Sequence, residues 1–244
     1  MSQRYSVQVL LPRWVELEPR RFVTRLRGWR SEVRLTSSSR EHLTVAVPTD
    51  DLPLYIQIFH AAPDAYASAL TDAIVWTPTW HERWTVTERR CPASIVVAMT
   101  TQRLINYASV LLTFMAVLDT TLWTLDTEDR EAAVLHWIPA KQLLTFHQYL
   151  ALRSELGPSG PAVNVRIANA TGRPGELFAD TIGLAELGLP DLQIQFTDRD
   201  PVDVVHRLRA YVRDLFVGER FDCAWIEEGA RVPPLRDALT LFLD

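Results

Sequence analysis

Hydrophobic and polar positions alternate through residues 6–11 (SVQVLL) and the run stops at Pro12, which predicts a strand. Three more strand-like runs follow at 32–36, 42–47 and 54–59, separated by polar or proline-containing loops. Ahead of them, Pro19 suits a first helical turn, and Phe22, Val23, Leu26 and Trp29 recur at helical spacing; a helix with an apolar stripe is expected there. A short helix is expected over 64–74. From residue 81 onward one order of elements occurs twice. Strands at 81–88 and 93–100 precede a helix at 101–118 and a strand at 132–138. Strands at 162–168 and 192–196 then precede a helix at 201–217 and a strand at 221–226. Between the two sets lie a helix expected over 139–155 and the linker-like GPSGP of 157–161.

The two repeated-position helices differ in pattern. In the later one, Val202, Val205, Leu208, Val212 and Leu215 make one stripe, with Asp200 placed to cap it, Pro201 in the first turn and Gly218 to end it. That is a helix lying on a sheet. The earlier one carries no charge between Arg103 and Asp119, so it is expected to be covered on more than one side. The stretch DTIGLAELGLPDLQ (180–193) reads as a turn device: Asp180 or Thr181 caps a helical turn at 184–187, Gly188 ends it in the left-handed conformation, and Pro190 stops continuation. Leu192, Ile194 and Phe196 then mark one face of a strand. The fold class implied is α+β: a two-layer, mixed but largely antiparallel sheet with helices packed on it, built from strand-strand-helix-strand units. The expected division is an N-terminal subdomain over 1–80 and a C-terminal one over 81–244, the two packing as one unit.

Composition narrows the function classes. Of 244 residues, 48% are hydrophobic and 23% charged, which is globular rather than disordered. The formal net charge of -5 and the lack of a long basic run argue against nucleic acid. Arg20, Arg21, Arg25, Arg27 and Arg30 form the nearest approach to a basic patch, read as the charged outer face of the first helix. Cys91 and Cys223 stand far apart without CxxC spacing, as free thiols of a reducing, cytoplasmic compartment do. The longest uncharged stretch, 104–118, is too short to span about 30 Å of hydrocarbon.

Catalytic signatures are sparse. TGRPGE (171–176) lacks the lysine of a phosphate loop, and GPSGP lacks the spacing of a nucleophile elbow. No histidine pair has metal-ligand spacing, so neither metal nor cofactor is expected. His147 lies one helical turn after Leu143 in the expected 139–155 helix, as a core histidine would. Two local groups carry candidate binding chemistry. Trp80, His81 and Trp84, with His136 and Trp137 if their strands pair, combine aromatic area with imidazoles; the competing reading has them filling the core. Asp126, Glu128 and Asp129, flanked by Asp119 and Glu131, place charge in one connecting segment, where a solvated docking patch for a basic partner outweighs acid–base catalysis.

The segment TIGLAELGLPDLQI, the upstream HWIPAKQLLTFHQYL (136–150) and TPTWHERWTV (77–86) together resemble the bacterial domain-of-unknown-function family 4261. That resemblance implies a partner-binding role, because its members often stand beside secretion-system, type VI included, or toxin–immunity genes. The leading expectation is a non-enzymatic protein-binding module, an immunity or accessory protein with a protein partner, no nucleic acid and no membrane span. The alternatives are an enzyme whose site is assembled from dispersed histidines and carboxylates, and a structural subunit that uses the uncharged 104–118 helix as a contact face.

Overall fold

β1 (Gln3–Leu11) lies between β5 (Ala93–Thr101) and β6 (Val134–Trp137) and is antiparallel to both. Around this centre the computed structural model builds a seven-stranded sheet, in the order β2-β3-β4-β5-β1-β6-β7, from β2 (Arg34–Ser38), β3 (His42–Val47), β4 (Leu54–Ala61) and β7 (Gln142–Thr145). The residues described are 3–48, 53–77, 91–101, 107–169, 175–217, 226–228 and 238–242. The chain divides into two units, Met1–Ala151 and Leu152–Asp244. One sheet runs through residue 80: β1 and β4, from the N-terminal part, both pair with β5. The class is α+β, with helices packed on mostly antiparallel sheet.

In the first unit the central strands are buried on both faces, which is why VQVLL and ASIVVAM read as nearly continuous apolar runs. One face meets α3 (Tyr107–Thr124): Phe114 sits edge-on to Tyr5 at 5.1 Å and to Trp137 at 6.3 Å. Tyr149 of α5 (Phe146–Leu156) stacks on Trp137 at 6.2 Å, and the indole Nε1 of Trp137 donates to the Tyr5 hydroxyl at 2.7 Å. The opposite face meets α2 (Ala67–Trp76), whose Ala73 joins Leu10, Cys91, Val134 and Leu143 in one apolar cluster. α3 is central as its uniform hydrophobicity implies: Leu111, Phe114, Met115, Val117, Leu118 and Leu122 are fully buried. α1 (Pro19–Trp29) begins at its proline and buries Phe22 and Leu26, but Trp29 is exposed and leaves the expected stripe.

Where 139–155 reads as one helix, the chain makes a turn, β7, and only then α5. Lys141 takes φ 49° in that turn, a left-handed conformation supplied without the glycine that would have signalled it. Because the helix starts at Phe146, Leu143 and His147 do not share a helical face, and His147 is exposed rather than in the core.

The second unit holds a five-stranded sheet, β11-β12-β10-β9-β8, made of β8 (Asn164–Asn169), β9 (Leu177–Ile182), β10 (Asp191–Phe196), β11 (Ile226–Glu228) and β12 (Ala238–Phe242). α7 (Pro201–Val217) buries Val204, Leu208 and Val212. Val202, expected on that stripe, is 58% exposed, while the Asp200 carboxylate accepts from its amide at 2.9 Å as a cap. GPSGP is not a free linker: Ser159–Ala162 form the short helix α6, all of it buried. A Cβ on Gly160 would lie 2.4 Å from the Leu152 carbonyl oxygen, so only glycine permits that approach.

The turn over 183–190 forms as read, with one exchange of parts. Gly188 is left-handed at φ 80°, its amide reaches the Ala185 carbonyl, and the Leu189 amide closes on the Leu184 carbonyl at 3.1 Å. Asp180 and Thr181, expected as caps, instead belong to β9. The cap comes from beyond the turn: the Asp191 carboxylate accepts from the Leu184 amide and from the Thr181 hydroxyl, each at 3.1 Å. Thr181 Oγ1 in turn accepts from the Leu192 amide at 2.8 Å.

Candidate binding surface

The acidic segment is a short helix rather than a loop, and most of its carboxylates are solvated. Asp126 precedes a short helix, α4 (Thr127–Glu131), which brings its carboxylates to different depths. Asp129 points inward with its side chain only 3% exposed, and Arg13 grips it bidentately through Nε and Nη2, each at 2.8 Å. The same guanidinium reaches Asp126 at 3.9 Å, whose side chain is 72% exposed. Glu128 and Glu131 are exposed. Asp119 belongs to α3, where its carboxylate accepts a short hydrogen bond from the Tyr149 hydroxyl.

Arg13 thus ties the segment after β1 to α4 and presents Trp14 beside it. Trp14 is 52% exposed and stacks on His60 at 5.0 Å. On the other side, Arg130 of α4 lays its guanidinium over Trp123 at 4.2 Å and over Phe146 at 5.6 Å, while Trp123 stays 40% exposed. Two exposed tryptophans, each held by a neighbouring ring or cation, are therefore joined through the Arg13–Asp129 pair to the exposed carboxylates Asp126, Glu128 and Glu131. Arg13, Trp14, Trp123 and Arg130 carry no local motif; Arg13 meets Asp129 across 116 residues of chain.

The other candidates separate. Trp80, His81 and Trp84 lie outside the described residues. His136 and Trp137 leave the candidate set, since both are fully buried. The core reading holds for Trp137, packed among Tyr5, Phe114 and Tyr149. His136 faces the other way, its Nδ1 3.2 Å from Gln8 Oε1; the Gln8 amide donates to Ser94 Oγ at 3.1 Å and to the Pro63 carbonyl at 3.2 Å. Burial lowers the imidazole pKa to about 4, a shift that the Ala69 backbone only partly opposes. A neutral imidazole closed off from solvent is not placed to exchange protons with a substrate.

The second unit pairs Arg166 with Asp180 directly across β8 and β9, through two hydrogen bonds, with Asp180 fully buried and Arg166 nearly so. Asp191 stands close enough to feel that charge: burial first, and Asp180 as a lesser cause, push its pKa up to about 6. Its geometry explains it without substrate, since it caps the 183–190 turn. Burial also lifts the Cys91 thiol to about 11, so it is not a poised nucleophile; Cys223 lies outside the described residues. Among the described residues no three His, Cys, Asp or Glu side chains gather as a metal would need, and no helix is long and apolar enough to cross a membrane.

Comparison of the chain with protein-family models, with curated proteins and with solved structures gives no match.

Proposed function

We propose that this chain is a non-enzymatic protein-binding module that docks a basic partner against α4 and the tryptophans beside it. The observation that carries this reading is the pairing of exposed Trp14 and Trp123 with the outward carboxylates Asp126 and Glu128 on a base fixed by Arg13 and Asp129. Tryptophan offers large contact area at small entropic cost, and anchors of this type dominate binding energy where the surround excludes water. Carboxylates at the rim steer a basic partner and set the salt dependence of association. The resemblance to family 4261 adds the context: an immunity or accessory role in the cytoplasm of a bacterium, in which the surface covers a toxin's or secretion component's own functional site.

Affinity capture of the full chain from its native host, with neighbouring genes co-expressed, is expected to recover one dominant protein at near-equal stoichiometry. Trp14→Ala combined with Trp123→Ala should lower that recovery at least tenfold, since each lost anchor costs about 1–2 kcal/mol or more. Asp126→Asn with Glu128→Gln should weaken it mainly at low salt. Capture that yields nothing above background, or a partner indifferent to both tryptophans, contradicts the reading.

A further inference from the structure

The two edges of the seven-stranded sheet are finished differently. At β7 the outer amides are occupied by side chains: the Leu143 amide donates to Thr77 Oγ1 at 3.0 Å and the Thr145 amide to Gln148 Oε1 at 2.9 Å. At β2, the other edge, no backbone or side-chain partner takes the outer side of the strand among the described residues. β2 is exposed along nearly its whole length, and a register shift between Leu35 and Ser37 bulges it at Thr36. Beside it lies a groove of about 840 Å³, lined by Leu17, by Leu35 and Ser38 of β2 and by residues of α1.

The wall is basic. Arg20, Val23, Thr24 and Arg27 recur at i, i+3, i+4 and i+7, so they form one stripe about 10 Å long facing the groove. From residue 18 to 34 the sequence has six arginines against two glutamates, inside a chain whose net charge is negative. Arg20, Arg21 and Arg25 are exposed and have no carboxylate partner among the described residues. Arg27 is turned toward the groove with its Nε 3.5 Å from the Val33 carbonyl. Of the two acids at the groove, Glu16 is held by Arg40 at 3.1 Å and Glu18 sits at the start of α1, at one end of the stripe. A solvated helix face accounts for Arg21 and Arg25, but not for Arg20 and Arg27, which line one groove with Leu35 and Ser38 of the edge strand.

From this alignment we infer a second docking site, distinct from the α4 surface and opposite to it in charge: the β2 edge and the α1 groove take an extended acidic segment of a protein partner as an added strand. Main-chain hydrogen bonds to β2 would supply the sequence-independent part of the affinity. Carboxylates at alternate positions, which share one face of the added strand, would reach toward Arg20 and Arg27. The bulge at Thr36 interrupts the flat edge that indiscriminate pairing needs, so charge is left to select the occupant.

The test is an array of immobilised octapeptides with alternate positions fixed as Asp/Glu, as Lys/Arg or as Ser and the rest varied, probed with the full chain. The strongest binders are then measured in solution by fluorescence anisotropy. Acidic peptides are expected to bind at least tenfold tighter than the other two classes. Arg20→Glu with Arg27→Glu should abolish that preference with unchanged circular dichroism, while Asp126→Asn with Glu128→Gln should leave it intact; binding by this last variant separates the result from the fate of the α4 surface. N-methylation of alternate peptide amides, which keeps the charge and removes the strand's donors, should weaken binding at least tenfold. Equal retention of the three classes, or indifference to N-methylation, overturns the inference. So does tighter binding through the same arginines to a 12-base-pair DNA duplex or to phosphatidylserine vesicles.

Discussion

Arg166→Ala is expected to destabilise the second unit by about 3–5 kcal/mol, because it strands a fully buried carboxylate. Arg166 and Asp180 face each other across β8 and β9, and the guanidinium meets both carboxylate oxygens. Removing the cation leaves Asp180 with neither solvent nor counter-charge, and with Asp191 nearby as a like charge. Arg166→Met with Asp180→Leu, which removes both charges, should recover most of the stability, since a buried ion pair and an apolar pair of similar volume are often close in energy. Hydrogen exchange of β8–β10 peptides in the full chain, followed across a urea series, reads this unit directly. A single variant as stable as the parent at pH 8 would show that the pair contributes nothing.

The first unit should lose up to about 3 kcal/mol between pH 7 and pH 4 through His136 alone. The folded protein holds this imidazole neutral down to a pKa of about 4, whereas in the unfolded chain it titrates near 6.5. A histidine with a depressed folded pKa contributes stability that is present above the unfolded value and is lost as pH falls through the window from 6.5 to 4. Among the described residues no anion faces it to reverse that sign: Nδ1 meets the Gln8 carbonyl oxygen, and the Ala69 backbone only partly offsets the effect of burial. His136→Gln should therefore flatten the acid limb of the urea-unfolding profile, whatever it does at pH 7. An imidazole proton titration centred near 6.5 in the folded state would contradict this account of the β1–β6 interior.

Those two groups show where sequence reading reaches and where it stops. Local devices were legible: Pro19 and Pro201 open their helices, Gly188 ends its turn left-handed, and the apolar α3 is central. Three strands were not: β7, β9 and β12. β7 is four residues long with Leu143 and Leu144 adjacent, so it shows no alternation, and its turn uses Lys141 where glycine would have given warning. β9 carries Asp180 and Thr181, which look like helix caps until Arg166 and Asp191 are seen to occupy them. The α4 surface was half visible: Asp126, Glu128 and Asp129 were found as a charge cluster, but which of them faces inward depends on Arg13. Residues that meet across more than a hundred positions, as Arg13 meets Asp129 and Gln8 meets His136, leave no mark in any local pattern.

The same limit explains why the aromatic candidates changed places. Trp137 follows a histidine in a short apolar strand and fills the core, whereas Trp14 and Trp123 reach the surface, Trp14 next to the paired Arg13 and Trp123 with the Arg130 guanidinium over its ring. Photo-cross-linking from defined positions tests that reading most directly. A benzophenone amino acid placed at position 14 or 123 of the full chain, expressed in the native host and irradiated, should give one discrete cross-linked protein. The same group at position 55, on the exposed face of β4, should give none. Equal labelling from all three positions, or a discrete product from position 55 alone, would contradict a partner docked on α4 and its tryptophans.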